Sequence, residues 1–440
     1  MGLTSSLTSG ASSLVAHQKR MDVISNNIAN SNTIGFKSSR VSFAEQFNQI
    51  KSYGKSPDLT VGGGTGGMDP MQFGLGVKIG AVTREMQQGV LETTNRPLDM
   101  ALQGDGFFVY NLNGKQLFSR AGGISRDSSG YLVDSSSGAY LQGYNLQLDA
   151  NGKTVKDANN LNILNRKVDN LRIPPNMISI PKQTEKVTIS GNLNSSTAVG
   201  DSRTTSINIF DTQGAARSLG LTFTKTANAN EYSISATIDD NAVTLGTTLI
   251  QFNNDGTLST PLSLSITAAD LNTAIGSPLF DAATPKNITI SLAESDNLLG
   301  GLTQFSGPNT ATAFEQDGYQ SGDLSGLSVD EKGQLWGAFT NGQSEILGQV
   351  VISKFTNQEA LLNEGGNFFS VSPDSGLPNI GTAGEIFPST RVAGSTLEQS
   401  NVDLTSEFTD MITTQRAFEA ASRTITVSDS LLAETNQLKR

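Results

Sequence analysis

The sequence predicts a mostly β fold with terminal α-helices, in which nested β domains lie between an N-/C-terminal coiled-coil pair. Three observations carry this expectation. Leu7, Leu14, Met21 and Ile28 recur every seven residues near the start, and Leu404, Met411, Phe418, Ile425 and Leu432 keep that spacing near the end. A seven-residue apolar repeat marks a helix that buries one narrow seam against another helix. Between the ends lie hundreds of residues rich in Gly, Ser, Thr and Asn, patterned as short alternating runs and turns.

Residues 1–35 read as a helix followed by a polar turn. Its second column, Leu3, Gly10, His17 and Ile24, is mixed, and its many Ser and Thr hydroxyls weaken helix propensity. Residues 395–440 read as the matching C-terminal helix. Its second column, Phe408, Gln415, Ser422, Asp429 and Asn436, turns polar after one member. Burying five large apolar side chains contributes roughly 1.5–3 kcal/mol each. Ordering about 35 residues costs about 1–2 kcal/mol per residue, only partly offset by helical hydrogen bonds. On that balance both termini are expected to be largely disordered in a lone chain and to become helical against neighbours.

Residues 36–95 read as a connector. Val41-Ser42-Phe43 opens it, the cluster Gly62–Gly67 forbids helix, and Gly76–Val82 is strand-like. Residues 96–178 begin a series of hairpins: Gly106–Tyr110 turns at Asn113-Gly114 and returns through Gln116–Phe118, and Asn151-Gly152 marks another turn. Ile173-Pro174-Pro175 and Ile180-Pro181 break the pattern. Alternation resumes in Lys186–Ser190, Ser206–Phe210 and Tyr232–Ile238, so 179–305 reads as a second β domain. Residues 306–394, with Gln334–Phe339 and Asn341-Gly342, return to the turn-and-aromatic style of 96–178. The economical topology is an inner β domain, 96–178 with 306–394, carrying 179–305 as an inserted outer domain.

Composition narrows the function. The net charge of −11 argues against a nucleic-acid partner. No run of about 18 apolar residues exists to enter a membrane. Met1–Ser6 has neither a basic start nor an apolar h-region, so no ordinary secretory signal is expected. Cysteine is absent, which excludes disulfides and thiolate chemistry. The single histidine, His17, lies on the N-terminal seam and is expected at an interface rather than in acid–base or metal chemistry. Gly62-x-Gly64-x-x-Gly67 matches a dinucleotide fingerprint only formally, since Asp69-Pro70 rather than a helix follows it. Asp239-Asp240 and Asp330-Glu331 could be imagined as glycosidase acids, but their neighbours are turn residues. No catalytic, cofactor or metal site is expected.

The turn after the first helix is the most specific feature: Ser25-Asn26-Asn27-Ile28-Ala29-Asn30-Ser31-Asn32-Thr33-Ile34-Gly35-Phe36-Lys37. Asn26, Asn27 and Asn30 can bond the backbone locally, Gly35 can supply a positive φ and Phe36 an anchor. This segment resembles the N-terminal signature of the bacterial flagellar axial proteins, which build rod, hook and hook–filament junction. Leu397-Glu398-Gln399-Ser400-Asn401-Val402-Asp403-Leu404, followed by Met411–Phe418 with Gln415-Arg416, resembles that family's C-terminal helix. Leu102–Val109 and Ser119-Arg120-Ala121-Gly122 resemble segments common to rod and hook members. Gln316–Gly322, Leu347-Gly348-Gln349 and Asn363–Phe369 resemble hook members in particular. Gly123-Ile124 and Ala420-Ala421 depart from the family pattern.

The resemblance implies a homo-polymer: a curved flexible tube acting as a universal joint that transmits torque from rod to filament. It implies terminal helices lining a channel, an outer domain on the surface, and rod, hook-cap and hook–filament junction proteins as partners. It also implies an extracellular location reached through the flagellar type III export apparatus without a cleaved signal. A straight distal rod subunit is the alternative within the family. A secreted β-rich adhesin or glycan-acting protein is the alternative from another class.

Overall fold

The structure, a computed structural model, describes every residue except 1, 58–63, 65, 151–153, 158–160, 282–285, 294–298 and 438–440. The turn expected at Asn151-Gly152 and half of the Gly62–Gly67 cluster therefore lie outside the described residues. Among the described residues three helices, α1 (Gly2–Ala29), α2 (Ala268–Ile275) and α3 (Leu404–Gln437), accompany a majority of short strands. The chain forms two compact units, one of residues 1–175, 327–336 and 346–440, the other of 176–326 and 337–345.

In the first unit α1 and α3 pack along each other. The lone chain thus differs from the expectation of termini without helix. The physical reason lies in which residues make the seam. Gly10, Ala16 and Ile24 of α1 are buried, as are Thr414, Ala421 and Ser428 of α3, again seven apart. Small side chains let the backbones approach closely. A methyl group on Gly10 would stand 3.0 Å from both Ile425 Cγ1 and Thr424 Oγ1. Of the large heptad residues, Ile425 meets Gly10 in this seam; Leu7, Leu14, Met21, Ile28, Met411, Phe418 and Leu432 are likewise half-buried, and Leu404 is exposed. The Arg20–Asp410 ion pair, at 3.0 Å, joins the helices toward the unit's body.

Residues 39–52 and 71–84 form two nested antiparallel strand pairs. Ser39–Glu45 pairs with Val77–Arg84 and lies on α1, where Ser12 Oγ accepts from the Val77 N–H at 3.2 Å. His17 meets Phe43 edge-on at 5.3 Å beside it. Burial and the neighbouring Arg20 cation lower the His17 pKa. Asn48–Ser52 pairs with Met71–Gly74, and both of these strands are exposed along their whole length.

The body of this unit is a twisted antiparallel sheet. Phe107–Leu112 pairs with Lys115–Ser119 through the expected turn, with Asn113 and Gly114 both at positive φ. Tyr140–Leu146 adds beside it and bonds Leu164–Asn170 and Ser344–Val350. Phe107, Val109, Phe118, Val351, Phe355, Leu361 and Phe369 fill one core, with Phe118 and Phe355 rings 4.8 Å apart. Two short ladders, Met100–Gln103 with Arg391–Gly394 and Leu91–Thr93 with Thr396–Glu398, lead the chain to α3.

The second unit is two sheets around a larger core. Ser202–Phe210, Ala216–Lys225, Glu231–Ile238, Leu249–Phe252 and Leu258–Thr260 follow in spatial order, joined by Asn241–Val243. Lys186–Asn192 lies between Ile288–Ser291 and Thr312–Gln316 in the other sheet. Alternation is strict: Tyr232, Ile234, Ala236 and Ile238 point inward from one strand. Helix α2 was not foreseen in this block. Thr267 caps it by accepting from the Asp270 N–H, Gly276 ends it in the left-handed region, and Leu271 is buried. The stretch Gln316-Asp317-Gly318 closes the unit. Asp317 accepts from the N–H groups of Glu185 and Lys186 at 2.8 Å and from the Lys182 ammonium at 2.7 Å.

The two carboxylate pairs serve turns. Asp239 and Asp240 both have positive φ, and Asp330 Oδ1 accepts from the Lys332 and Gln334 N–H groups.

Candidate functional site: the root of the terminal helices

Four stretches that stand far apart in the sequence meet where α1 ends and α3 begins: the asparagine turn, residues 85–90, Ser119-Arg120-Ala121 and Leu397–Asp403. Each is held by a specific polar side chain. Asn27 is buried at the end of α1 and turns back across the chain. Its Oδ1 accepts from the Ser39 N–H at 3.0 Å, and its Nδ2 donates to the Ser39 carbonyl and to Glu407 Oε1, both at 2.9 Å. Asn401 does the same from the other side. Its Oδ1 accepts from the Ser38 N–H at 2.8 Å, and its Nδ2 donates to the Glu85 carbonyl at 2.7 Å.

Beneath these amides lies a buried ion cluster. The Lys37 ammonium donates to Glu398 Oε1 at 2.5 Å and to the Gln87 carbonyl at 2.6 Å. Glu398 Oε1 also accepts from the Gly89 N–H at 2.9 Å, and Arg120 Nη1 donates to Glu398 Oε2 at 3.4 Å. Lys37 and Glu398 side chains are 0% exposed and Arg120 is 2% exposed. The Arg120 guanidinium stacks 5.5 Å over the Phe107 ring, while its Nε finds no partner. Burial lowers the Lys37 pKa, and the Glu398 carboxylate opposes that shift.

Two glycines make the convergence possible. Gly35 has φ +69°, and a Cβ there would lie 2.6 Å from the Ala121 nitrogen; its N–H donates to the Glu398 carbonyl at 2.8 Å. A Cβ on Gly89 would lie 2.0 Å from the Gln399 carbonyl oxygen.

The other residues expected to act here divide by position. Asn26 and Asn30 stay local: Asn30 Nδ2 donates to the Asn26 carbonyl at 2.9 Å. Phe36 is half-buried and its N–H donates to the Thr33 carbonyl. Asp403 caps α3, its Oδ1 accepting from the Thr405 N–H at 2.9 Å. Gln415 and Arg416 are exposed on α3, away from the root. Lys37, Arg120 and Glu398 lie in the motifs but carry no local sequence signal that they meet. Asn367 also enters unannounced, its Nδ2 donating to the Ile34 carbonyl at 2.9 Å.

Glu407 gives a first expected result. Its pKa lies above the ordinary 4.5, chiefly from burial, with Asp410 and Glu85 adding to the shift while Asn27 and Arg20 oppose it. A carboxyl raised on folding contributes stability that is full below its unfolded pKa and is lost as pH rises through the folded value. Glu407→Gln keeps an acceptor for Asn27, so it should melt about 1–2 °C higher than the parent at pH 7. The difference should vanish below pH 4.5, read by thermal melts across that range.

Four protein-family descriptions match the chain. They are "Flagella basal body rod protein" over residues 7–37, "Flagellar hook protein FlgE/F/G D1 domain" over 101–192, "Flagellar basal body protein FlaE D2 domain" over 201–319, and "Flagellar basal body rod FlgEFG protein C-terminal" over 393–438. The chain is 33% identical to the flagellar hook protein FlgE of Treponema pallidum, covering 99% of each. It is 31% identical to that of Borreliella burgdorferi over 99% of each, and 32% identical to that of Escherichia coli over 96% of each. Among solved structures it is similar in fold to Helicobacter pylori flagellar hook protein FlgE2, with TM-score 0.50 and 16% identity. That likeness covers 70% of this chain and 100% of the other.

Proposed function

The chain belongs to the family of bacterial flagellar hook proteins, and from that premise we propose that it polymerises through its terminal helices into a curved tube that carries torque from rod to filament. One observation supports this reading above the rest. The α1–α3 pair closes on its small residues and leaves Val15, Leu404, Phe408, Ile412, Val427 and Leu431 between 42% and 56% exposed. Covering such side chains contributes roughly 1.5–3 kcal/mol each. A helix pair with that much uncovered apolar surface suits packing among copies. In this reading 1–35 and 395–440 are the assembly elements, with Gln415 and Arg416 facing neighbours or the channel. Residues 36–95 and the domain of 96–178 with 306–394 form the middle shell, and 179–305 the surface.

The role is mechanical, with no catalytic step. Rod, hook-cap and hook–filament junction proteins are its partners along the axis, and the flagellar type III apparatus exports it. Among the described residues no helix is long and apolar enough to cross a membrane. Polymerising the purified chain tests the reading. Supercoiled, bendable tubes are the expected product; straight tubes would favour a rod subunit, and saccharide binding by a chain lacking both ends would favour an adhesin.

The exposed hairpin yields a second expected result. Phe47, Ile50, Tyr53, Met68, Met71 and Phe73 are all exposed on or beside its two strands, and a lone two-stranded hairpin is marginal in water. Replacing Phe47, Tyr53 and Phe73 by serine should leave the melting temperature of the lone chain unchanged. It should raise the concentration needed for tube growth roughly tenfold or more, since about 1.4 kcal/mol of lost contact is a factor of ten. Light scattering against concentration reads the effect, and an unchanged threshold would remove the hairpin from the assembly surface.

A further inference from the structure

We propose that Lys37, Glu398 and Arg120 form a registry lock, which holds the root of the α1–α3 pair in one seating on the sheet by penalising misplacement rather than by adding net stability. The lock spans a sequence separation of 361 residues between Lys37 and Glu398, and 278 between Arg120 and Glu398. It gathers the exit of α1, the Gln87–Gly89 segment, the sheet strand ending at Ser119 and the entry to α3. Two cations and one carboxylate removed from water gain little over apolar side chains of the same volume. The orphaned Arg120 Nε makes net stabilisation still less favourable.

What the cluster does supply is directional. Glu398 Oε1 receives both the Lys37 ammonium and the Gly89 N–H, while Oε2 receives Arg120. A rotated or shifted root would leave at least one full charge buried without its partner, which a low-dielectric interior penalises heavily. Apolar packing has no such directionality, because a leucine slides past a methionine at small cost. The backbone around the cluster is also close-fitting. Gly35 and Gly89 sit where any side chain would strike Ala121 or Gln399, so the seating that satisfies the charges is also the one the glycines permit. Helices seated in one way would give every copy the same geometry at its root, and bending would then be taken up beyond the root.

The lock is a property of one chain and is tested on the unassembled chain, so its failure would not touch the assembly reading. The chain has no native cysteine, so spin labels on introduced cysteines at exposed Gln18 of α1 and Ser129 of the sheet region are unambiguous. The test variant replaces all three charges, Lys37→Met, Glu398→Met and Arg120→Met. Arg120→Met alone is the second variant, leaving a neutral Lys37–Glu398 pair and removing the orphan Nε. The expected result is a melting temperature equal to or above the parent for both variants. The label–label distance distribution should change from a single narrow peak to a broad or multi-peaked one in the triple variant, and to an intermediate width in Arg120→Met. A triple variant with the parental narrow peak would overturn the lock. So would Arg120→Met melting well below the parent, because the cluster would then be supplying stability and not registry.

Discussion

Glu398→Ala is expected to destabilise the helix-bearing unit by about 3–5 kcal/mol. The substitution removes one partner of a buried cluster and leaves two cations, Lys37 and Arg120, facing each other, with Asp105 as the remaining carboxylate that acts on Arg120. It also strips an acceptor from the Gly89 N–H. The pH dependence should carry the signature. Burial already lowers the Lys37 pKa, and Glu398 is the group that opposes the shift, so its loss lowers that pKa further. A lysine whose folded pKa is depressed has its stability present above its unfolded value of 10.5 and loses it as pH falls through the folded value. The deficit of Glu398→Ala against the parent should therefore shrink as pH rises toward 10.5. Denaturant titrations at pH 7 and pH 10 read both the deficit and its slope. A loss below about 1 kcal/mol at pH 7 would mean that water reaches the cluster.

Much of the fold is legible in the sequence wherever the cause is local. Asn113-Gly114 demands a tight hairpin because both residues tolerate positive φ, and the strands on either side follow from it. Strict alternation in Tyr232–Ile238 fixes which face of that strand is buried. Helix α2 was missed although its signals are local: Thr267 with Asp270 three residues on, and Gly276 at its end. Eight residues between strands give too short a window for a helical period to stand out. The root of the terminal helices was half legible. The asparagine turn announced a helix exit, yet the asparagine that matters most, Asn27, bonds Ser39 and Glu407 rather than its own turn. The ion cluster was not legible, because Lys37, Arg120 and Glu398 each look like a solvated charge until the topology brings them together. The small residues of the seam were not legible for a related reason. Periodicity is read from large apolar residues, whereas close helix contact selects small ones, which carry almost no hydrophobic signal.

That distinction makes the pair Gly10→Leu and Leu14→Ala decisive for how the terminal helices hold together. If the seam were the row of large residues, Leu14→Ala would be the damaging change, and Gly10→Leu would add apolar surface and help. The geometry demands the reverse. A Cβ on Gly10 already meets Ile425 and Thr424 at 3.0 Å, the limit of tolerable contact, and a leucine would place three further carbons against Ala421 and Ile425. Neither helix can absorb that volume without separating, so Gly10→Leu is expected to cost about 1–3 kcal/mol, the usual range for overpacking. Separation would also release Ala421 and Thr414 to water along the turns on either side. Leu14 is only half-buried, so truncating it removes only part of a side chain's burial and should cost about 1 kcal/mol or less. Hydrogen exchange of α1 and α3 amides in the lone chain separates the two outcomes. Protection should fall along both helices in Gly10→Leu and stay near the parental level in Leu14→Ala, whereas tube growth, which in the proposed reading draws on the apolar rows left uncovered, should weaken in both.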